Sequence, residues 1–263
     1  KRNQGLIVTP FTLAGAMAPI TIAGAVAQSL AEALSAIVLA QIIRPGAPCI
    51  IGTFTSNVDM KTGAPAFGTP EYMRATQMTG QLCRFYNLPM RSSGVCASNV
   101  PDGQAIWETS NSLWAAVQSG TNLVYHGAGW LEGGLIASPE KFIMDCEILQ
   151  QIQRYMDKSI VATTNNDIAI DAIKSVGAEG HFFGVQHTQD RYTTAFYEPF
   201  LSDWTNFEGW EQSGGQWTAE RSHNLFKKIV AQFKSPQIPQ NIDDELQEFV
   251  IKRKQEGGAP TDF

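Results

Sequence analysis

Polar and aromatic residues gather where the short apolar segments of this chain end, and their types set the chemistry open to it. Behind the run from Pro48 to Thr55 come Ser56, Asn57 and Asp59, and behind Leu88 to Gly94 come Ser98, Asn99 and Asp102. The run from Asn122 to Gly127 ends on Tyr125 and His126 and is followed by Trp130 and Glu132; Gly180 to Val185 is followed by His187 and Asp190. His126 and Glu132 have the types and placing for acid–base or other catalytic work. Phe54, Tyr125 and Trp130 offer ring faces that attract a permanent cation, and Asp59 and Glu132 would add negative charge to such a cage. His187 is a further candidate for contact with a substrate. The plainer alternatives stay open: packing for the aromatics, a hydrogen bond to a neighbouring loop for His126, and a core position for His181.

No complete catalytic signature accompanies these residues. The chain has no G-x-S-x-G elbow, no H-E-x-x-H and no phosphate-binding P-loop. The string from Gly127 to Gly133 superficially resembles a dinucleotide fingerprint, but Trp130, Leu131 and Glu132 crowd the turn that must approach phosphate. Four scattered histidines and four scattered cysteines make no metal-ligand spacing, so no metal site is expected.

Composition narrows the class. Of the 263 residues 43% are apolar and 10% aromatic, which excludes a disordered chain. The 19 basic and 25 acidic residues give a net charge of −6, without the basic footprint that a nucleic-acid backbone requires. Cys49, Cys83, Cys96 and Cys146 form no C-x-x-C pair, which points to a reduced, cytoplasmic protein rather than a disulfide framework. Charge is unevenly spread. Between Asn3 and Ile43 Glu32 is alone, whereas Glu220 to Phe263 carries fourteen charged residues and reads as an exposed helical tail. The run Thr12 to Ile43 is long enough to span a bilayer. Its Ala, Gly, Ser and Gln, with Pro19 and Glu32 and a mean hydropathy of −0.13 for the whole chain, favour instead a helix held against protein on most sides. No membrane partner is expected.

These side chains need a scaffold, and the pattern supplies one. Strands are expected at Leu6 to Phe11, Pro48 to Thr55, Leu88 to Gly94, Asn122 to Gly127 and Gly180 to Val185. Helices are expected over Thr21 to Ile43, from Thr69 to about Tyr86, from an opening segment Ser98 to Asp102 up to Gly120, from Ser138 to about Asp157 and over Asp167 to Val176. Thr69-Pro70-Glu71 and Ser138-Pro139-Glu140 are matching N-terminal signals: an N-cap, a proline at the first helical position and an acid in the first turn. Repeated strand–loop–helix units imply parallel strands with covered faces. Long loops behind the strands and short ones before them favour a (β/α)8 barrel with one functional rim over a doubly wound sheet. About five β/α units are present where a closed barrel needs eight, and the chain begins at Lys1 without a methionine. The expectation is therefore the C-terminal part of a TIM barrel over residues 1–190, with a C-terminal helical extension over 191–263.

Four strings then become specific: Pro10 to Thr21 (PFTLAGAMAPIT), Gly52 to Pro65 (GTFTSNVDMKTGAP), Gly127 to Gly134 (GAGWLEGG) and Gly180 to Thr188 (GHFFGVQHT). Together and in this order they resemble the trimethylamine methyltransferase family of corrinoid-protein-dependent methyltransferases, from about Gly5 to Arg221. The resemblance implies a TIM barrel that binds a methylated amine at its rim. It also implies a separate corrinoid (cobalamin) protein whose cobalt(I) accepts the methyl group. The family's archetype is associated with pyrrolysine, expected here in or near Met90 to Asp102, where every residue is ordinary. The chain thus looks like the non-pyrrolysine branch, acting on a quaternary amine such as glycine betaine. In that reading Phe54, Tyr125 and Trp130 surround the methylated nitrogen, Asp59 and Glu132 add attraction or hold loops, and His126 and Asn57 orient a carboxylate. Alternatives are a trimethylamine-type or other methylamine corrinoid methyltransferase, and a non-catalytic quaternary-amine binding protein. A homo-oligomer is compatible with all of them.

Overall fold

The computed structural model describes residues 4–158, 164 and 168–257. In chain order its first half runs β1 (Leu6–Val8), β2 (Leu13–Ala14), α1 (Ile22–Ile43), β3 (Cys49–Gly52), β4 (Ser56–Val58), β5 (Pro65–Ala66), α2 (Pro70–Phe85), β6 (Met90–Ser93), α3 (Gly103–Gln118) and β7 (Leu123–Tyr125). A hairpin of β8 (Trp130–Leu131) and β9 (Ile136–Ala137) flanks a 3-10 turn at Glu132–Gly134, and α4 (Pro139–Tyr155) follows. Behind it lie α5 (Ile170–Val176), α6 (Gln186–Gln189), α7 (Phe207–Gln212), α8 (Thr218–Gln232) and α9 (Gln240–Gln255).

The helix starts follow the local chemistry read from the sequence. Thr69 accepts the Tyr72 N–H at 3.1 Å with Pro70 behind it, Asp102 accepts the Ala105 N–H at 3.3 Å, and Ser138 accepts the Lys141 N–H at 3.2 Å ahead of Pro139. The end of α3 is equally explicit. Gly120 takes φ +70, Gly120 N–H donates to Val117 O and Thr121 N–H to Ala116 O, the paired bonds that close a helix on a left-handed residue.

Strands β1, β3, β6 and β7 form one parallel sheet in that order. Ile51 lies beside Met90, Gly52 beside Arg91, Arg91 beside Leu123, and Ser93 beside Tyr125. Side chains alternate across a sheet, so these pairs sort the two faces. Ile51 and Met90 pack with Ala33, Ile37 and Cys83 from α1 and α2, and Val124 packs on Leu113, Ile148 and Ile152 from α3 and α4. The helices therefore cover one face. The other carries Arg91, Ser93 and Tyr125.

The mixed α/β architecture with a parallel sheet agrees with the sequence, and three expectations need correction. Among the described residues the parallel sheet has four strands, where about five β/α units are expected. Gly180 to Val185 is not a strand: Val185 N–H turns back to Phe182 O at 3.2 Å, and Phe183 is 79% exposed. Short aromatic runs flanked by glycine suit a turn as well as a strand, and here no sheet edge pairs with this one. The expected start of the following-helix segment, Asp167, lies outside the described residues; the helix is described from Ile170. Finally, α1 is buried only along Ala25, Val26, Ser29, Ala33 and Ile37, while Val38, Leu39, Ile42 and Ile43 are exposed, so protein covers one stripe rather than most sides. By length and composition alone this helix is long and apolar enough to cross a membrane.

The chain divides into two compact units, Lys1–Phe226 and Lys227–Phe263. In the first, Leu201 packs on Ile143 and Met144 with Leu225 and Phe226, which ties the segment behind α6 to α4. Phe196, Trp204, Phe207 and Trp217 in that region remain largely exposed. The second unit consists of the end of α8 and the charged helix α9.

Candidate functional site

The uncovered face of the sheet and the loops behind it bring three aromatic rings to one imidazole. Phe54 lies 6.0 Å from His126 between ring centroids, Tyr125 6.2 Å and Trp130 5.6 Å, the last two edge to face. Phe11 and Phe67 extend the cluster behind Phe54 at 5.3 and 5.0 Å. His126 directly follows β7 with φ +50, a left-handed conformation costly for a side-chain-bearing residue.

Arg91, which sequence reasoning missed, sits under these rings. It is only 4% exposed, and its guanidinium carbon lies 4.7 Å from the Tyr125 centroid and 5.7 Å from that of Phe54. Its Nη2 donates to His126 Nδ1 at 3.3 Å, its Nε has no hydrogen-bond partner, and no carboxylate pairs with it among the described residues. Burial pulls its pKa downward, although a guanidinium keeps its proton across the accessible range. An arginine has no lone pair to offer, so His126 Nδ1 must be the acceptor and the ring's proton resides on Nε2. Ser93 Oγ lies 3.2 Å from the same nitrogen. Burial, and then the Arg91 charge, hold the His126 pKa below the usual histidine value. His126 is thus a neutral imidazole braced by a cation.

Buried hydrogen bonds fix the loops around the cluster. Tyr72, fully buried on α2, donates its hydroxyl to Ser93 O at 2.8 Å. Glu108 of α3 accepts the Ala97 and Ser98 N–H groups at 2.8 and 2.9 Å, turning the loop behind β6. Glu132 N–H donates to Ser98 O and Gly133 N–H to Cys96 O, which joins that loop to the one behind β7. Gly133 has φ +66, and a Cβ there would lie 2.7 Å from the Phe67 ring, so no other residue fits this turn. Gly129 N–H donates to Asp145 Oδ2 at 2.9 Å, and Asp145 pairs with Lys141, whose Nζ also donates to Thr109 Oγ1 at 2.7 Å. This pair is almost fully sealed from water and anchors the strand that carries Trp130.

The remaining sequence candidates fall differently. Asn57 accepts from Thr69 Oγ1 at 2.9 Å and donates to Val58 O at 3.2 Å, which ties β4 to the α2 cap. Asp59 is exposed and accepts from the Lys61 N–H and from the Thr62 N–H and hydroxyl, so it shapes its own turn; those bonds, the Thr62 hydroxyl first, hold its pKa low. Glu132 is exposed on the rim. His187 lies on α6 beside Phe183, Tyr192 and Phe196, lining a groove of about 410 Å³ that none of the cluster residues enters. A larger apolar groove of about 730 Å³ runs along α3 and α4 beside Trp107 and Trp217, and it too contains none of the candidates. Neither of these two grooves holds the buried charge and convergent rings that meet at His126.

Arg91 had a signal in the sequence: it is the lone charge inside the expected strand Leu88 to Gly94, where covered faces exclude charges. The Lys141–Asp145 pair had none, since an i, i+4 pair on a helix ordinarily marks a solvated face.

The family model of trimethylamine methyltransferase (MTTB) matches residues 1–258. The chain is 36% identical over 257 residues to a glycine betaine methyltransferase of Desulfitobacterium hafniense, covering 97% of this chain and 53% of that protein. It is 31% identical over 248 residues to a trimethylamine methyltransferase MttB of another strain of that species, covering 94% and 49%. To a trimethylamine methyltransferase MttB of Methanosarcina barkeri it is 29% identical over 246 residues, covering 93% and 49%. The chain thus spans about half the length of the curated relatives it matches.

Proposed function

Since this chain belongs to the trimethylamine methyltransferase family, we propose that it transfers a methyl group from a quaternary amine such as glycine betaine to the cobalt(I) of a corrinoid protein. The observation that carries the reading is the convergence of Phe54, Tyr125 and Trp130 on His126 at the ends of parallel strands. A quaternary nitrogen cannot hydrogen-bond, so ring faces and exclusion of water are what recognise it. Trp130 carries most of that role here, because the Arg91 guanidinium already lies against Phe54 and Tyr125.

The residues around the cluster also fit approach by a corrinoid. Tyr125, Leu135 and Ile136 are exposed beside the hairpin that bears Trp130, forming an apolar margin suited to a flat macrocycle. When bound, the corrinoid supplies a cobalt(I) nucleophile that takes the methyl carbon while the nitrogen keeps the bonding pair and departs as a neutral tertiary amine. No proton moves in that exchange. His126, neutral and protonated on Nε2, therefore orients rather than titrates, and Glu132 on the rim adds negative potential on the path by which the quaternary cation enters. Asn57 and Asp59 hold the β4 loop, and His187 stands as a candidate substrate contact apart from the ring cluster.

The same reading places residues 1–190 in part of a (β/α)8 barrel, with 191–263 as a helical extension, in a cytoplasmic protein that acts with a corrinoid carrier and is compatible with a homo-oligomer. The names of the MttB relatives favour trimethylamine as the second substrate to test. The intact protein, mixed with cob(I)alamin and a panel of glycine betaine, choline and trimethylamine, is expected to give the methylcob(III)alamin spectrum with a quaternary amine. No conversion with any quaternary amine by active protein would overturn the reading; conversion with trimethylamine alone would favour the second.

A further inference from the structure

We infer that Arg91 is the receptor for a carboxylate on the substrate, so that the site selects a zwitterion, an ammonium joined to a short acid, over a simple methylated cation. The inference rests on the site assigned above but concerns a residue and a chemistry that the cationic cage does not use.

A guanidinium that is 4% exposed, without a carboxylate and with a partnerless Nε, is an unfinished ion pair. Taking such a charge from water is costly unless an anion completes it. Of the carboxylates in the loop network, Glu108 is committed to the Ala97 and Ser98 N–H groups and Asp145 to Lys141 and Gly129, while Glu132 is exposed on the rim. The rings on Arg91 supply partial compensation only, and His126 offers one lone pair at 3.3 Å. What is missing is a planar acceptor with two oxygens, the partner for which a guanidinium fork is shaped.

The register puts Arg91 on the uncovered face of the sheet with Ser93 and Tyr125, the face that meets the ring cluster. Arg91 and Trp130 both touch His126, from different sides, so an anion receptor and a cation receptor stand one imidazole apart. A molecule that joins an ammonium to a carboxylate through a short linker can engage both receptors at once. A cation without a carboxylate would instead meet the like charge of Arg91 with nothing to offset it. The specificity is therefore built from an attraction and a repulsion at one residue.

Calorimetric titration of the intact protein tests this with four ligands: glycine betaine, choline, tetramethylammonium and 3,3-dimethylbutanoate, in which carbon replaces the quaternary nitrogen. Glycine betaine is expected to bind about 100-fold or more tightly than choline and tetramethylammonium, the range for a buried charge-assisted pair. The carboxylate isostere is expected to bind detectably without any cation. Arg91→Gln is expected to remove most of the advantage of both carboxylates and, with the like charge gone, to tighten choline binding, and Arg91→Lys to restore part of the carboxylate advantage. The comparison of ligands on the unaltered protein needs no variant, so poor folding of Arg91→Gln does not blunt the test. Equal binding of glycine betaine and choline, or no binding of either carboxylate, overturns the inference. Arg91-dependent carboxylate binding without methyl transfer to cob(I)alamin would uphold it and overturn the proposed reaction instead.

Discussion

Removing the charge of Asp145 alone is expected to be among the most damaging single changes in this protein. Lys141 and Asp145 are 0% and 1% exposed, with Nζ 2.6 Å from Oδ2. Burial pushes the Asp145 carboxyl above its ordinary pKa in spite of the ammonium beside it, which means that desolvation outweighs the attraction. In Asp145→Asn the amide oxygen can still accept the Gly129 N–H, but Lys141 is left as a buried ammonium with only Thr109 Oγ1 to receive it. Stranding one member of a sealed pair costs about 3–5 kcal/mol. The double change Lys141→Met with Asp145→Asn removes both charges at similar volume and keeps the Gly129 acceptor. It should recover at least about 2 kcal/mol of that loss, because it is the unpaired charge rather than the lost attraction that destabilises. Urea unfolding followed by circular dichroism, with equal slopes for all variants, measures both quantities. A cost below about 1 kcal/mol for Asp145→Asn, or a double variant no more stable than the single, would refute the reasoning.

Three further outcomes follow from named contacts. Tyr72→Phe removes the bond to Ser93 O from a fully buried position and should cost about 1–2 kcal/mol by urea unfolding; a neutral effect would mean that this bond does not hold β6. Gly133→Ala, at φ +66 with a Cβ 2.7 Å from the Phe67 ring, should destabilise by about 1–3 kcal/mol and raise the glycine betaine Kd, whereas unchanged values would show that the turn relaxes freely. The hydrogen bond from His223 Nδ1 to Glu140 at 2.7 Å, first among its causes, lowers the Glu140 pKa from 4.5. A depressed carboxyl contributes stability that is present above its unfolded value and lost as pH falls through its folded value. His223→Gln should therefore flatten the loss of stability below about pH 4.5 by no more than about 1 kcal/mol, given the partial exposure of both groups, and leave the loss above pH 8 unchanged.

Where chemistry is local, the sequence was a sufficient guide. Thr69, Asp102 and Ser138 cap the helices expected to follow them, and Gly120 stops α3, because each of these signals acts within one turn of its own backbone. Phe54 and His126 meet because they follow β3 and β7, parallel strands of one sheet, with Tyr125 closing β7 and Trp130 opening the hairpin behind it. What periodicity could not supply is direction. It could not tell that Asn57 and Asp59 spend their polar atoms on their own loop, or that Arg91 lies beneath the rings rather than among solvent. Those facts depend on which of two sheet faces a residue takes and on what stands across from it. Gly180 to Val185 failed as a strand for the same reason: an apolar run becomes a strand only where an edge receives it.

The most direct test of the account follows the methyl group itself. Glycine betaine carrying three deuterated methyl groups is incubated with the intact protein and cob(I)alamin, and both products are read by mass spectrometry. The account predicts one trideuteromethyl group on cobalt for each dimethylglycine released, the latter retaining its other two labelled methyls. Label that stays in glycine betaine, or dimethylglycine formed without labelled methylcobalamin, would contradict it.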